Sequence, residues 1–115
     1  MEKLIIYQKT YDFILYFYGV VAKFPKHEKF TLQTQLKNCI LEFLRLIVRA
    51  NKSDTKKRLL YEADVSLEEF RTLVRLSHDL RYINPRQYGN ISEKLSEIGR
   101  LLGGWIGFVQ GDKKG

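Results

Sequence analysis

Glu97 to Gly107 reads E-I-G-R-L-L-G-G-W-I-G, and this stretch decides the fold. Gly99, Gly103 and Gly107 recur every four residues, which places them on one face of a helix. Ser92 and Ser96 carry the small-residue stripe toward the N-terminus. Beside it runs a large apolar stripe of Ile91, Leu95, Ile98, Leu102, Trp105 and Val109. Its steps of four and three make the seam of a helix bundle. Glycine inside a soluble helix costs about 1 kcal/mol relative to alanine. Four glycines in nine residues, counting Gly104, therefore need a reason. Close approach of another helix backbone is the reading adopted. A hinge, or backbone laid against a ligand, competes with it.

Working upstream, Asn84-Pro85 opens this last helix. Asn84 suits the N-cap, Pro85 the first helical position and Gln87 the capping-box position. The helix is expected to stop near Gln110-Gly111, with Asp112 to Gly115 fraying. A third helix is expected from about Thr55 to Tyr82, capped by Asp54 or Ser53, with Leu59, Ala63, Leu67, Phe70, Val74 and Ser77 as its core stripe. It opens with Lys56, Lys57 and Arg58, cations that oppose the helix dipole at an N-terminus. Arg71 and Arg75 share one face further along, within reach of Glu68, Glu69 and Asp79 for intrahelical ion pairs.

A second helix is expected from an N-cap at Thr31 to about Ala50, with a seam of Leu32, Leu36, Cys39, Phe43, Ile47 and Ala50. Arg45, Arg49 and Lys52 lie on one side of it. The first helix begins at Lys3 or Gln8 and runs to Phe24, where Pro25 ends it. Phe13, Phe17, Val20 and Phe24 make one apolar face, and Tyr11, Ile14, Leu15, Tyr18, Val21 and Ala22 make another. One stripe faces the core of a small bundle, so the second predicts an interface between copies. An unusually wide core contact is the alternative. The class expected is all-α: one domain over residues 1–115, an antiparallel up-down-up-down four-helix bundle that forms a homo-oligomer.

The net charge of +7 points to an anionic partner, of which nucleic acid is the commonest. The excess concentrates in residues 25–53, with six bases against two acids. Residues 45–58 then hold Arg45, Arg49, Lys52, Lys56, Lys57 and Arg58 against Asp54 alone. A phosphate-contacting corner competes here with an ordinary solvated surface. The single cysteine, Cys39, reads as a small buried hydrophobe and excludes an internal disulfide. With no secretory signal pattern and no apolar run near the roughly 20 residues that span a bilayer, a cytoplasmic protein without membrane partners is expected.

The sequence offers no catalytic chemistry. Its glycines fall at helical spacing with no preceding strand and no following Lys-Ser/Thr. His27 and His78 stand in no ligand pair with Cys39. Glu93 and Glu97 lack the Glu-x-x-His partners of a di-iron bundle. No enzyme, no cofactor and no metal are expected.

L-Y-E-A-D at Leu60–Asp64, the pair Arg71 and Arg75, I-N-P-R-Q-Y at Ile83–Tyr88 and E-I-G-R-L-L-G-G-W-I at Glu97–Ile106 together resemble Avd, the accessory variability determinant of diversity-generating retroelements. They also resemble the wider set of four-helix proteins encoded in intervening sequences of large-subunit ribosomal RNA genes. The likeness covers nearly the whole chain in helix layout and is strongest from Leu60 to Ile106. It implies a non-catalytic homopentamer, assembled as a ring-like homo-oligomer with a basic surface. Such a protein binds the retroelement's reverse transcriptase and RNA, with DNA a further possibility, and supports the adenine-mutagenised cDNA synthesis that diversifies a target gene. Arg71 and Arg75 match an arginine pair of the Avd pattern, which implies contact with partner or nucleic acid. The C-terminus departs from a strongly basic tail, with Lys113 and Lys114 following Asp112. The alternative is a stand-alone bundle related to the rRNA intervening-sequence proteins, RNA-binding or structural.

Overall fold

Phe70 stands at the centre of the core, its ring edge-on to Phe17 at 5.1 Å and to Phe13 at 5.8 Å between centroids. The computed structural model that places them describes residues 2–114, and the side chains of residues 5–111. Four helices follow in order: α1 (Glu2–Val21), α2 (Leu32–Lys52), α3 (Lys56–Asp79) and α4 (Pro85–Lys114). A one-turn 3-10 helix, Lys26–Glu28, precedes α2. Each helix packs on its two neighbours, and α4 closes back onto α1. The short links force antiparallel neighbours, giving the expected four-helix bundle, a rod 51 Å long and 25 × 20 Å across. Among the described residues there is no strand.

The core is the set of seams read from the sequence. Phe13, Phe17, Leu36, Phe43, Ala63, Val74, Ile91, Leu102 and Trp105 are all buried in it. Burial of side chains this size supplies roughly 1.5–3 kcal/mol each, which fixes the rotation of every helix about its axis. Some assignments shift: Val21, read on the other face of α1, is fully buried, and Val109 is half-buried. Leu60 takes the fully buried place expected of Leu59, which packs half-buried at the edge. Cys39 is half-buried, not enclosed: its thiol donates to the Ser66 carbonyl at 3.3 Å while the Ser66 hydroxyl donates to the Cys39 carbonyl at 3.2 Å. That exchange ties α2 to α3. Thr10 is fully buried on α1, and its hydroxyl has no hydrogen-bond partner.

The helix ends repay attention because they build both ends of the rod. The capping box forms as read: the Gln87 N–H donates to Asn84 Oδ1 at 2.8 Å, and the Asn84 N–H donates to Gln87 Oε1 at 3.0 Å. The Thr31 hydroxyl does not cap α2. Glu28 does so: its Oε1 accepts the Leu32 N–H at 3.3 Å and the Thr31 hydroxyl. Neither Ser53 nor Asp54 is the N-cap of α3; Thr55 is, and its side chain makes no cap bond. α3 stops at Asp79 in a Schellman turn, with the Tyr82 N–H on the Ser77 carbonyl and the Arg81 N–H on the His78 carbonyl, both at 2.9 Å. Arg81 takes the left-handed position of that turn, at φ 68°. α4 continues to Lys114, past the expected stop at Gln110-Gly111. Gly115 and the side chains of Asp112, Lys113 and Lys114 lie outside the described residues.

The glycine stripe corrects the close-approach reading. A Cβ on Gly103 or Gly107 would meet nothing within 4 Å, so no helix backbone presses on either. Of the stripe's Gly99, Gly103 and Gly107, Gly99 alone is approached closely, and by a side chain, that of Arg71. Nor do the glycines form a hinge, since α4 runs unbroken through all of them.

Candidate nucleic-acid interface

The end of α2 and the start of α3 form one corner of the rod. Arg45, Arg49, Lys52, Lys57 and Arg58 are exposed there. Arg45 pairs with Glu42 at 3.2 Å and Arg58 with Glu62 at 3.4 Å, exposed contacts worth little to stability. Among the described residues Arg49, Lys52 and Lys57 pair with no carboxylate. α3 has no acid in its first turn, so its uncapped amides add partial positive charge to the same corner. Beside it Asp54, Lys57, Tyr61 and Val109 help line an open cleft of about 820 Å³. Gln110 of α4 hydrogen-bonds the Tyr61 hydroxyl at this cleft.

Lys56 behaves differently from its neighbours. Its ammonium turns back to the end of α2 and donates to the carbonyls of Ala50 at 2.9 Å, Asn51 at 3.5 Å and Ser53 at 2.7 Å. A cation there satisfies carbonyls left open at a helix C-terminus and suits its dipole. For Lys56 the apparent conflict at the start of α3 is thus a favourable contact with α2, while Lys57 and Arg58 keep it.

Arg71 and Arg75 do not join the corner. Thirteen residues of helix separate Arg58 from Arg71, about 20 Å of rise. The Arg71 guanidinium lies in the α3–α4 groove and donates to the Leu95 carbonyl at 3.0 Å. Arg75 is exposed. The ion pairs with Glu68, Glu69 and Asp79 do not form; among the described residues neither arginine makes one.

The opposite end of the rod is also basic, which charge counting along the chain missed. Tyr82, in the α3–α4 link, donates its hydroxyl to Glu28 Oε2 at 2.9 Å and lies 3.3 Å from His27 Nε2. These bonds hold the α1–α2 and α3–α4 links together. Lys26 and Lys29 therefore share an end with Arg81 and Arg86, all exposed. The sequence shows K-H-E-K-F as a basic link, but only the topology adds the two arginines. The hydroxyls of Thr31 and then Tyr82, followed by the Leu32 N–H, hold the Glu28 carboxyl below the usual carboxylate range. The hydrogen bond to Glu28, then burial and the carboxylate's charge, push the Tyr82 phenol up. Burial pushes the Cys39 thiol up, partly offset by its bond to Ser66, which makes it a poor nucleophile at neutral pH.

The second face of α1 divides: Val21 is fully buried in the core and Ile14 packs half-buried against it. Phe13, Phe17, Val20 and Phe24 enter the core. Tyr11, Tyr18 and Leu15 stay outside, Leu15 64% exposed, and Tyr7 extends the strip. The core contact of α1 is thus wider than one stripe, taking in Val21 and Ile14, while Tyr11, Leu15 and Tyr18 lie outside it. Among the described residues no group of His, Cys, Asp and Glu side chains is arranged to hold a metal, and no helix is long and apolar enough to cross a membrane.

A basic-ended antiparallel four-helix bundle with an unused apolar strip is the class these features define. The bAvd-like family matches residues 4–109, and the chain belongs to that family. No curated protein matches its sequence. Among solved structures it is similar to a protein of unknown function from the S23 ribosomal protein family of Bacteroides thetaiotaomicron VPI-5482, with a TM-score of 0.83 at 20% identity. The superposition covers 92% of this chain and 98% of that one, a likeness of fold.

Proposed function

We propose that this chain is a non-catalytic accessory subunit of a diversity-generating retroelement. It binds the element's reverse transcriptase and its RNA, and supports mutagenic cDNA synthesis as a scaffold. The observation that carries the reading is the α2–α3 corner of a bAvd-like chain, where Arg49, Lys52 and Lys57 have no carboxylate partner among the described residues. Arg45 and Arg58, held only by exposed pairs, join them when a phosphate backbone displaces Glu42 and Glu62. Arg75 is a second, separate contact on α3. Lys56 and Arg71 act mainly by holding the corner and the α3–α4 groove in shape. The apolar strip of α1 supports assembly of several copies into a ring, which would repeat the basic corners around one rim.

The test is copurification with a reverse transcriptase encoded beside this chain, at low salt and then at rising salt. Association that falls as salt rises, by counterion release, is expected. Absence of association at low salt overturns the polymerase reading. RNA binding without any polymerase partner would favour the stand-alone bundle.

A further inference from the structure

Phe30 is 84% exposed, the furthest out of the large apolar side chains among the described residues. It adds nothing to the core, yet its turn is firmly held. The Lys29 N–H bonds the Lys26 carbonyl at 3.1 Å and the Thr31 N–H bonds the Glu28 carbonyl at 3.2 Å. The Thr34 hydroxyl fixes the Lys29 carbonyl at 2.7 Å. An aromatic ring is thus presented to solvent on a rigid mount, with the Lys29 ammonium 5.6 Å from its centroid.

The surroundings are cationic. Lys26 and Lys29 flank the ring in sequence, and the Tyr82–Glu28 bond brings Arg81 and Arg86 to the same end. Two acids share this end with the four cations. Glu28 has both oxygens in hydrogen bonds, and Asp79 lies 3.2 Å from His78. Arg81 occupies a left-handed backbone position that glycine would fill with less strain, so a cation stands where local geometry disfavours any side chain.

We infer that this end of the bundle is a site for single-stranded nucleic acid, in which Phe30 stacks on a base while Lys26, Lys29, Arg81 and Arg86 hold the adjoining phosphates. An exposed ring among cations on a fixed turn is how proteins grip an unpaired strand without reading its sequence. A duplex keeps its bases stacked inside and offers this ring nothing. A lipid surface takes up an amphipathic face of several apolar groups, whereas this turn presents one ring flanked by charge. The inference rests on the nucleic-acid part of the proposed function but places it at the end opposite the α2–α3 corner.

The experiment uses the full chain and fluorescence anisotropy with a labelled oligothymidylate about 20 nucleotides long, beyond the ~4–16 that one binding module covers. A duplex of equal length and vesicles of phosphatidylcholine with phosphatidylserine run in parallel. Phe30→Ala should weaken single-strand binding roughly 5- to 100-fold, leave duplex binding alone and keep the salt slope. Phe30→Trp should retain affinity, and its indole emission should be quenched by the oligonucleotide. Arg81→Ala should lower the salt slope by about one phosphate contact. Unchanged affinity in Phe30→Ala overturns the inference and leaves the proposed function standing, provided the unaltered chain binds. Equal losses on duplex and single strand, a changed sedimentation mass, or Phe30-dependent binding to vesicles alone each overturn it too. Failure of the unaltered chain to bind either nucleic acid at low salt overturns the inference, while the polymerase part of the proposed function stands or falls by copurification.

Discussion

A methyl group on Gly99 would lie 2.5 Å from Nη2 of Arg71. The guanidinium occupies the space that a side chain on α4 would need, and from there it reaches the Leu95 carbonyl. Gly99 and Arg71 are one device: the missing side chain on α4 makes room for the arginine that ties α3 to it. Gly103 and Gly107 have no such neighbour.

Alanine substitutions should therefore divide. Gly103→Ala and Gly107→Ala gain helix propensity with nothing to displace, and each should raise stability by about 0.5–1 kcal/mol in urea unfolding. Gly99→Ala makes the same gain but pushes Arg71 off Leu95, a hydrogen bond worth about 1 kcal/mol, so it should come out near zero. In an Arg71→Ala background the gain should return, a coupling of about 1 kcal/mol between contacting sites. A drop in both stability and sedimentation mass for Gly103→Ala would show instead that another copy packs on the stripe.

Arg81 sits at the position of the Schellman turn that glycine usually fills. An L side chain in the left-handed region costs about 1–2 kcal/mol. Arg81→Gly should recover about 1 kcal/mol of that after the entropy of the more flexible unfolded chain is subtracted. The midpoint of urea unfolding should rise with its slope unchanged. Affinity for single-stranded oligonucleotide should fall in the same variant.

Glu28 makes the fold acid-sensitive. The Thr31 hydroxyl, then the Tyr82 hydroxyl and Leu32 N–H, hold its carboxyl below the value it has in the unfolded chain. The ionised form therefore favours the native state. This contribution is fully present above the unfolded value and is lost as pH falls through the lowered folded value. Glu28→Gln should be less stable at neutral pH and should show a flatter decline on its acid side. Urea midpoints followed from neutral to acid pH read both effects, and parallel curves for the two proteins would contradict the assignment.

Thr10 buries a hydroxyl with no partner. Such a group costs about 1–3 kcal/mol of desolvation, and valine fills nearly the same volume without it. Thr10→Val should raise stability by about 1 kcal/mol in the same urea measurement. A loss would mean that the hydroxyl is satisfied in solution by a bond to its own helix or by an enclosed water.

What the sequence could tell depended on whether a signal was local. The Asn84–Gln87 capping box and the seam through Ile91, Leu95, Ile98 and Leu102 are local patterns, and both form as read. The glycine stripe is also local, but its cause is not: helical spacing looks the same whether a backbone, an arginine or water lies opposite. Lys56 misled for a related reason. Its own helix shows an unfavourable dipole, and only the fold puts the carbonyls of Ala50 and Ser53 within its reach. The candidate site was half legible. The run from Arg45 to Arg58 is contiguous enough to count by eye, whereas Lys26 and Arg81 lie 55 residues apart and meet only when Tyr82 bonds Glu28.

The strip of α1 carries the last expectation. Leu15 is 64% exposed between Tyr11 and Tyr18, each with much of its ring in water. If copies pack through this strip, each Leu15 enclosed gains roughly 1.5–3 kcal/mol, and a carboxylate there must be desolvated without a partner. Leu15→Glu should thus weaken self-association more than tenfold while the helical circular dichroism spectrum stays unchanged, because Leu15 takes no part in the core. Sedimentation velocity reads the outcome. A species larger than 13.6 kDa that collapses to that mass in the variant supports assembly through α1. A compact 13.6 kDa monomer in the unaltered chain overturns it, and with it the ring that would align the basic corners on one rim.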